Sequence, residues 1–188
     1  MASASIPVPP IPVQQEIVRI LDMFTQLEAR RQQFTHYIEQ VLTFASDTPV
    51  YELGEVCTSI SAGGDRPRQM AKGQTEPSDE FPYPVYSNGS ESRALYGFAN
   101  SFNVAQRAVT VSARGTIGYH AVREPEFTAI VRLLVLVPNT ELLSAEFLNR
   151  ILDITPIGYS GGSIPQLTVP AVKKFRSLFH RLMSKTES

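Results

Sequence analysis

The sequence predicts an α+β protein in which a long N-terminal coiled-coil helix precedes a compact mixed α/β domain. Residues 12–44 carry apolar side chains at alternating separations of three and four. After residue 50 the chain consists of short β-rich runs separated by Gly-, Ser- and Asn-containing turns. Asp47-Thr48-Pro49 separates these parts, because the residue before a proline is disfavoured in a helix. We therefore expect one domain over residues 1–46 and a second over residues 47–188.

The helix is predicted to begin at Pro12, behind an extended proline-rich lead-in, and no later Pro or Gly interrupts it. Its apolar positions have the a and d spacing of a coiled coil, with Arg31 as the polar exception. The spacing favours pairing with another helix, from a second copy or from elsewhere in the chain. An ordinary core helix is the alternative. The seam consists of Ile17, Ile20, Phe24, Leu27, Arg31, Phe34, Ile38 and Val41.

The first half of the second domain is predicted to be rich in loops. Tyr51–Ile60 mixes strand-like residues with a turn at Gly54, and residues 61–82 form a long polar loop. Pro84–Tyr86 predicts a short strand, which ends at the turn signal Ser87-Asn88-Gly89.

The second half is predicted to hold the main strands. Ala108–Ser112 and Ile117–Val122 indicate two strands joined by a tight connection at Arg114-Gly115. Ile130–Val137 is the most apolar run and indicates a buried central strand.

Two helices are predicted to end the chain. Ser144 is a suitable N-cap for a helix over Ala145–Leu152. A C-terminal amphipathic helix is indicated by one apolar face, which consists of Val172, Phe175, Phe179 and Leu182.

Composition excludes several classes of protein. The formal net charge is −1 and Cys57 is the single cysteine, so neither a globally basic protein nor a disulfide framework is expected. Residues 92–123 and 154–186 contain no Asp or Glu, and such local basic stretches are compatible with a polyanionic partner. The sequence has no secretory signal and no membrane-length apolar run, so we expect a cytoplasmic protein.

No catalytic or metal site is predicted. His36, His120 and His180 lack metal-ligand spacing, and the Gly pairs match neither a phosphate-binding loop nor a dinucleotide fingerprint. The Asn/Asp-Pro-Pro-aromatic motif of adenine methyltransferases does not occur.

Four polar loops recur instead, at residues 61–68, 87–93, 112–116 and 160–166. Arg, Asn and Gln side chains can read base edges, and Ser and Thr hydroxyls suit phosphates. Plain turn chemistry is the alternative for any one of these loops.

The residues also resemble a known family. The segment 6–22, IPVPPIPVQQEIVRILD, resembles the conserved spacer segment of type I restriction–modification specificity subunits, and residues 30–44 resemble the end of that helix. Residues 53–56, 86–89, 112–118 and 162–168 resemble landmarks of the family's target recognition domain, in the expected order.

The resemblance implies a non-catalytic subunit that binds double-stranded DNA and docks adenine-modification subunits, with restriction subunits as further partners. S-adenosylmethionine would belong to the modification subunit, and this chain would bind no cofactor. One helix and one recognition domain imply a half-length subunit, so the seam predicts a homodimer that reads an interrupted palindrome. The residues expected to contact DNA are Arg66, Arg68, Ser87, Asn88, Arg93, Arg114, Thr116, Ser163 and Gln166.

The proline-rich strand that normally follows a recognition domain stands here ahead of the helix. A truncated fragment that assembles or regulates without reading DNA is therefore one alternative. The separated specificity arm of a fused restriction–methylation enzyme is another.

Overall fold

A computed structural model describes residues 9–41, 51–154, 157 and 166–176. The chain forms two compact units, Met1–Phe44 and Ala45–Ser188. The first holds a long helix and the second a mixed α/β arrangement with two sheets, so the predicted fold class is confirmed.

Helix α1 runs over Ile11–Val41. Pro12 lies in its first turn, where a missing N–H is tolerated. The Gln14 side-chain amide donates to the Pro9 carbonyl at 2.7 Å, and Arg19 pairs with Glu16 one turn earlier at 2.6 Å. No helix in the described part of the chain is long and apolar enough to cross a membrane.

The first sheet contains four antiparallel strands in the order β1-β8-β5-β6. These strands are β1 (Cys57–Ala62), β5 (Ala108–Ser112), β6 (His120–Arg123) and β8 (Leu133–Pro138). Every residue of β8 is buried, and the strand pairs on both sides, as expected for the most apolar run. The predicted beginning at Ile130 is wrong, because the backbone turns at Val131–Arg132 before the strand.

The second sheet has the order β2-β4-β3-β7. Its strands are β2 (Met70–Lys72), β3 (Tyr83–Tyr86), β4 (Leu95–Ala99) and β7 (Thr128–Ala129). Gly97 is required in β4, because a Cβ there would lie 2.2 Å from the Ala71 carbonyl oxygen.

The side chains of β8 alternate between two cores. Leu134 and Leu136 pack among the helices α2 (Leu53–Val56), α3 (Ala145–Ile154) and α4 (Val169–Lys173). Leu133, Val135 and Val137 pack with Phe127 on the other face. Successive side chains of a strand point to opposite faces, so one apolar run supplies both cores.

The helix predicted after Ser144 is present, and its Phe147 N–H donates to the Ser144 hydroxyl at 3.1 Å. The C-terminal helix was predicted too long. Helix α4 ends at Lys173, and Phe175 lies beyond it, accepting a backbone hydrogen bond from Leu53 at 3.0 Å. Phe179 and Leu182 lie outside the described residues.

Two local predictions were also wrong. The predicted loop 61–82 contains the end of β1 and all of β2. The predicted strand Ile117–Val122 begins only at His120, so residues 113–119 form a longer connection than expected. The turn predicted at Gly54 is present as the helical turn Leu53–Val56, in which the carboxylate of Glu55 accepts from the Glu52 N–H at 2.6 Å.

Candidate nucleic-acid interface

A depression of about 320 Å³ lies where two loops meet the turn before β8. Backbone hydrogen bonds hold these segments together. Gly63 donates to the Leu133 carbonyl at 2.7 Å, and Gly64 donates to the Ala129 carbonyl at 3.1 Å. The lining residues are Asp65, Arg66, Ser87, Asn88, Tyr96, Ile130, Val131 and Arg132.

The turn after β3 places Ser87 and Asn88 at this depression. The Ser87 N–H donates to the Ala94 carbonyl at 2.9 Å, which folds the segment back on itself. A Cβ on Gly89 would lie 2.2 Å from the Arg93 carbonyl oxygen, so only glycine fits this close approach. Arg93 therefore lies at the far end of the same folded segment, where it is exposed.

The loop between β5 and β6 adjoins this turn. The Asn88 amide donates to the Arg114 carbonyl at 2.9 Å. Gly115 has φ +80°, a conformation that favours glycine, and its Cβ position lies 3.2 Å from the Asn88 amide nitrogen. The Asn88 side chain therefore ties two of the predicted DNA-contacting loops together.

Two more backbone hydrogen bonds connect neighbouring segments to this loop. The Ala113 N–H donates to the Arg132 carbonyl at 2.9 Å, and the Leu167 N–H donates to the Ala113 carbonyl at 2.9 Å. Gln166, which precedes Leu167, is exposed. The segments that carry Arg114, Arg132 and Gln166 are thus adjacent, although they are distant in sequence.

Two cationic side chains, Arg66 and Lys72, lie next to Tyr96 on β4. Arg66 donates to the Tyr96 hydroxyl at 3.2 Å, and the Lys72 ammonium lies 5.3 Å from the ring centroid. The hydrogen bond from Arg66 is the main cause that lowers the pKa of Tyr96. A second depression, of about 620 Å³, shares Asp65 and Arg66 with the first and is also lined by Arg68.

The structure brings most of the predicted residues onto connected loops. Arg66, Ser87 and Asn88 line one depression, and Arg68 lines its neighbour. Thr116 is exposed in the β5–β6 connection, and its hydroxyl donates to the Ser112 hydroxyl at 3.3 Å. Ser163 lies outside the described residues.

Sequence reasoning missed Arg132, Tyr96 and Lys72. Arg132 interrupts the most apolar run of the chain, and a charged residue at such a position was the signal that could have identified it. Tyr96 and Lys72 gave no comparable signal, because their proximity arises from the pairing of β2 with β4, where Lys72 lies opposite Gly97.

The chemical groups of this region suit recognition of a nucleic acid. Guanidinium, ammonium and amide groups converge there, with Asp65 as the acid among the residues lining the two depressions. Across the described residues, no group of three or more His, Cys, Asp or Glu side chains could hold a metal ion. Burial raises the pKa of the Cys57 thiol to about 11, so this cysteine is a poor nucleophile.

The predicted seam of α1 is exposed within its own unit. Phe24 and Leu27 are 62% and 64% exposed, and Arg31 is also exposed. Ile17, Ile20 and Phe34 expose large apolar surfaces as well. The side chains of Ile38 and Val41 lie outside the described part of the helix.

Comparison with known proteins identifies the second unit. Residues 45–176 match the sequence model of a family described as the type I restriction modification DNA specificity domain. A Mycoplasma pneumoniae protein named as a type I specificity subunit is 29% identical over 190 residues, covering 89% of this chain and 56% of that protein. A Haemophilus influenzae protein named as a type I restriction enzyme specificity subunit is 27% identical, covering 91% of this chain and 50% of that protein. The chain spans about half the length of these relatives.

Solved structures share the fold. The S subunit of a type I restriction–modification system from M. genitalium has a TM-score of 0.53 at 14% identity, covering 78% of this chain and 40% of that one. A chain from a type I restriction–modification complex has a TM-score of 0.55 at 18% identity, covering 96% of this chain and 52% of that one. Because the family match extends over most of the sequence, this chain belongs to the type I restriction modification DNA specificity family.

Proposed function

We propose that this chain is the DNA-reading subunit of a type I adenine-modification complex, and that residues 47–188 are its target recognition domain. The observation that carries the proposal is the depression in which Arg66, Ser87 and Asn88 converge. These side chains come from two segments of the chain, yet they are the types expected to read base edges or hold phosphates. Arg114, Thr116 and Gln166 extend the same contact surface, with Arg68 and Arg93 at its sides.

The subunit itself is proposed to be non-catalytic. It would bind no cofactor, and S-adenosylmethionine would bind the modification subunit that docks on it. Restriction subunits would be further partners, and the complex would act on DNA in the cytoplasm.

The α1 seam is proposed to form a homodimer. Large exposed apolar side chains spaced along one helix favour burial against another helix. A two-fold dimer would present two identical recognition domains, which would read an interrupted palindrome. The length of the paired helices would then set the separation of the half-sites.

The test is to purify the full chain with its modification subunits, measure duplex binding against salt, and map methylated adenines. An interrupted palindrome is the expected site. An asymmetric bipartite site would contradict the homodimer but keep the DNA-reading role. Assembly without salt-sensitive DNA binding or methylation would instead identify a fragment that assembles or regulates without reading DNA.

A further inference from the structure

Arg132 adopts a backbone conformation that is unusual for arginine. Its φ is +72°, in the left-handed region that side chains with a Cβ rarely adopt. Such a conformation is energetically unfavourable and persists only where surrounding contacts enforce it. The side chain is nevertheless exposed, so burial of the arginine does not explain the conformation.

The contacts that enforce this turn come from both neighbouring loops. The Arg132 carbonyl accepts the Ala113 N–H at 2.9 Å, and the following Leu133 carbonyl accepts the Gly63 N–H at 2.7 Å. Gly63 lies so close to the turn that a Cβ there would be 2.3 Å from the Ile130 carbonyl oxygen. The turn is therefore clamped between the Gly63 loop and the Ala113 loop.

This clamp places Arg132 within the proposed contact surface. Arg66 and Asn88 line the same depression as Arg132. The Ala113 segment that binds the Arg132 backbone leads directly into Arg114. Because the turn is already rigid, docking of this exposed arginine costs side-chain freedom but little backbone freedom, which favours precise contact.

We propose that Arg132 is a specificity-determining residue whose guanidinium reads a guanine in the recognised half-site. This inference rests on the proposed DNA-reading function and adds a residue to it. Arginine contacts guanine O6 and N7 with two parallel N–H groups, whereas lysine cannot reproduce that planar fork. The clamped backbone supplies the fixed geometry that a two-point contact needs.

The experiment selects binding sites from duplex DNA with randomised base pairs, using the full chain assembled with its modification subunits. Arg132→Lys keeps the charge, and Arg132→Gly removes the side chain in a residue that tolerates positive φ. Arg150→Ala is the matched control, because Arg150 is an exposed arginine on α3, ion-paired with Asp153 at 3.0 Å.

Both Arg132 variants should lose the preference for one G·C pair and keep the rest of the selected sequence. Discrimination at that pair should fall roughly 5- to 150-fold, while Arg132→Lys keeps the salt dependence of the wild type. Arg150→Ala should select the wild-type sequence. Thermal unfolding of each variant verifies that the domain remains folded.

Three results would overturn the inference. If the wild type selects a sequence and both Arg132 variants select the same one, Arg132 does not read a base, although the proposed function stands. If Arg132→Lys alone matches the wild type, a positive charge at this position is sufficient, and the two-point guanidinium contact with guanine is excluded. A wild-type complex that enriches no sequence would remove the proposed function and this inference together.

Discussion

The guanidinium carbon of Arg123 lies 3.9 Å from the centroid of the Tyr86 ring. Arg123 is on β6 of the first sheet and Tyr86 is on β3 of the second, so this contact joins the two sheets. Burial is the main cause that lowers the pKa of Arg123, while Tyr86 and Tyr119 oppose the shift. Tyr86 directly precedes Ser87 and Asn88, so the contact also supports the turn at the proposed interface.

Replacing Tyr86 by leucine should therefore destabilise the domain. The Tyr86 ring stacks on Arg123 and also packs edge-on against Phe127, with 5.8 Å between centroids. Loss of both aromatic interactions should reduce the free energy of unfolding by about 1–3 kcal/mol. Tyr86→Phe keeps the ring, so its free energy of unfolding, measured with urea, should fall by less than half of that amount. Equal losses in the two variants would show that the ring contacts contribute little.

Gly63→Ala should destabilise the domain more than Gly64→Ala. A Cβ at Gly63 would lie 2.3 Å from a backbone carbonyl oxygen, which cannot move without shifting the turn before β8. A Cβ at Gly64 would lie 3.9 Å from the nearest atom, the Asn103 side-chain nitrogen. We expect Gly63→Ala to lower the free energy of unfolding by about 1–3 kcal/mol and Gly64→Ala to lower it by under about 0.5 kcal/mol. Urea unfolding measures both values. Similar unfolding midpoints for both variants would contradict the close approach.

Arg114→Ala should weaken DNA recognition without unfolding the domain. Arg114 lies on the β5–β6 connection, where the Asn88 amide binds its carbonyl and leaves the guanidinium out of that contact. Loss of one base contact should cost about 1–3 kcal/mol of binding free energy and relax one position of the site. Binding titrations and the methylated sequence measure this, with Arg150→Ala as the control. Unchanged affinity and site in Arg114→Ala would exclude this role.

Phe24→Asp should dissociate the proposed homodimer. A charge in the apolar seam would be desolvated on helix pairing, which is strongly unfavourable. Val18→Asp is the control, because Val18 is comparably exposed but lies on the other side of the helix from the seam. Sedimentation should report a monomer for Phe24→Asp and a dimer for both wild type and Val18→Asp. A dimer that survives Phe24→Asp would place the contact elsewhere.

Lowering the pH should weaken the interactions by which the Glu146 carboxylate stabilises the start of helix α3. Its own backbone N–H, the Ser144 hydroxyl and Arg107 all lower the pKa of this carboxyl from its ordinary value of 4.5. Because the folded-state pKa is depressed, the stabilisation is present at neutral pH. It is lost as the pH falls from 4.5 through the folded-state value.

Glu146→Gln should therefore reduce the loss of stability that acidification causes. The measurement is the urea midpoint between about pH 3 and 6, where carboxylates titrate. Ser144→Ala should lower the free energy of unfolding by about 1 kcal/mol at neutral pH, because it removes the helix cap. It should also reduce the loss of stability on acidification. Parallel curves for wild type and Glu146→Gln would show that this carboxylate does not contribute.

Sequence patterns were sufficient to predict the elements that depend on neighbouring residues. Helix α1 follows from residues 12–41, which contain no internal Gly or Pro, and the Ser144 cap follows from its position before an amphipathic run. The apolar run around β8 predicted a buried central strand. These features depend on neighbouring residues, so periodicity and capping identify them.

Strand β2 was missed because it depends on a distant partner. Strand β2 has three residues and is stabilised by pairing with β4, from Met70–Ala99 to Lys72–Gly97. The C-terminal prediction failed for a related reason. The Phe175 carbonyl accepts a hydrogen bond from Leu53, a contact across the chain that takes the place of another helical turn.

The sequence by itself determined the long helix with its apolar seam, the buried central strand and the residue types suited to DNA. Only the tertiary structure decided which of these residues share a surface. Arg66, Asn88 and Arg132 line one depression because hydrogen bonds between loops bring three distant segments together. The positive φ of Arg132 likewise arises from backbone contacts with the Gly63 and Ala113 loops, which no local pattern encodes.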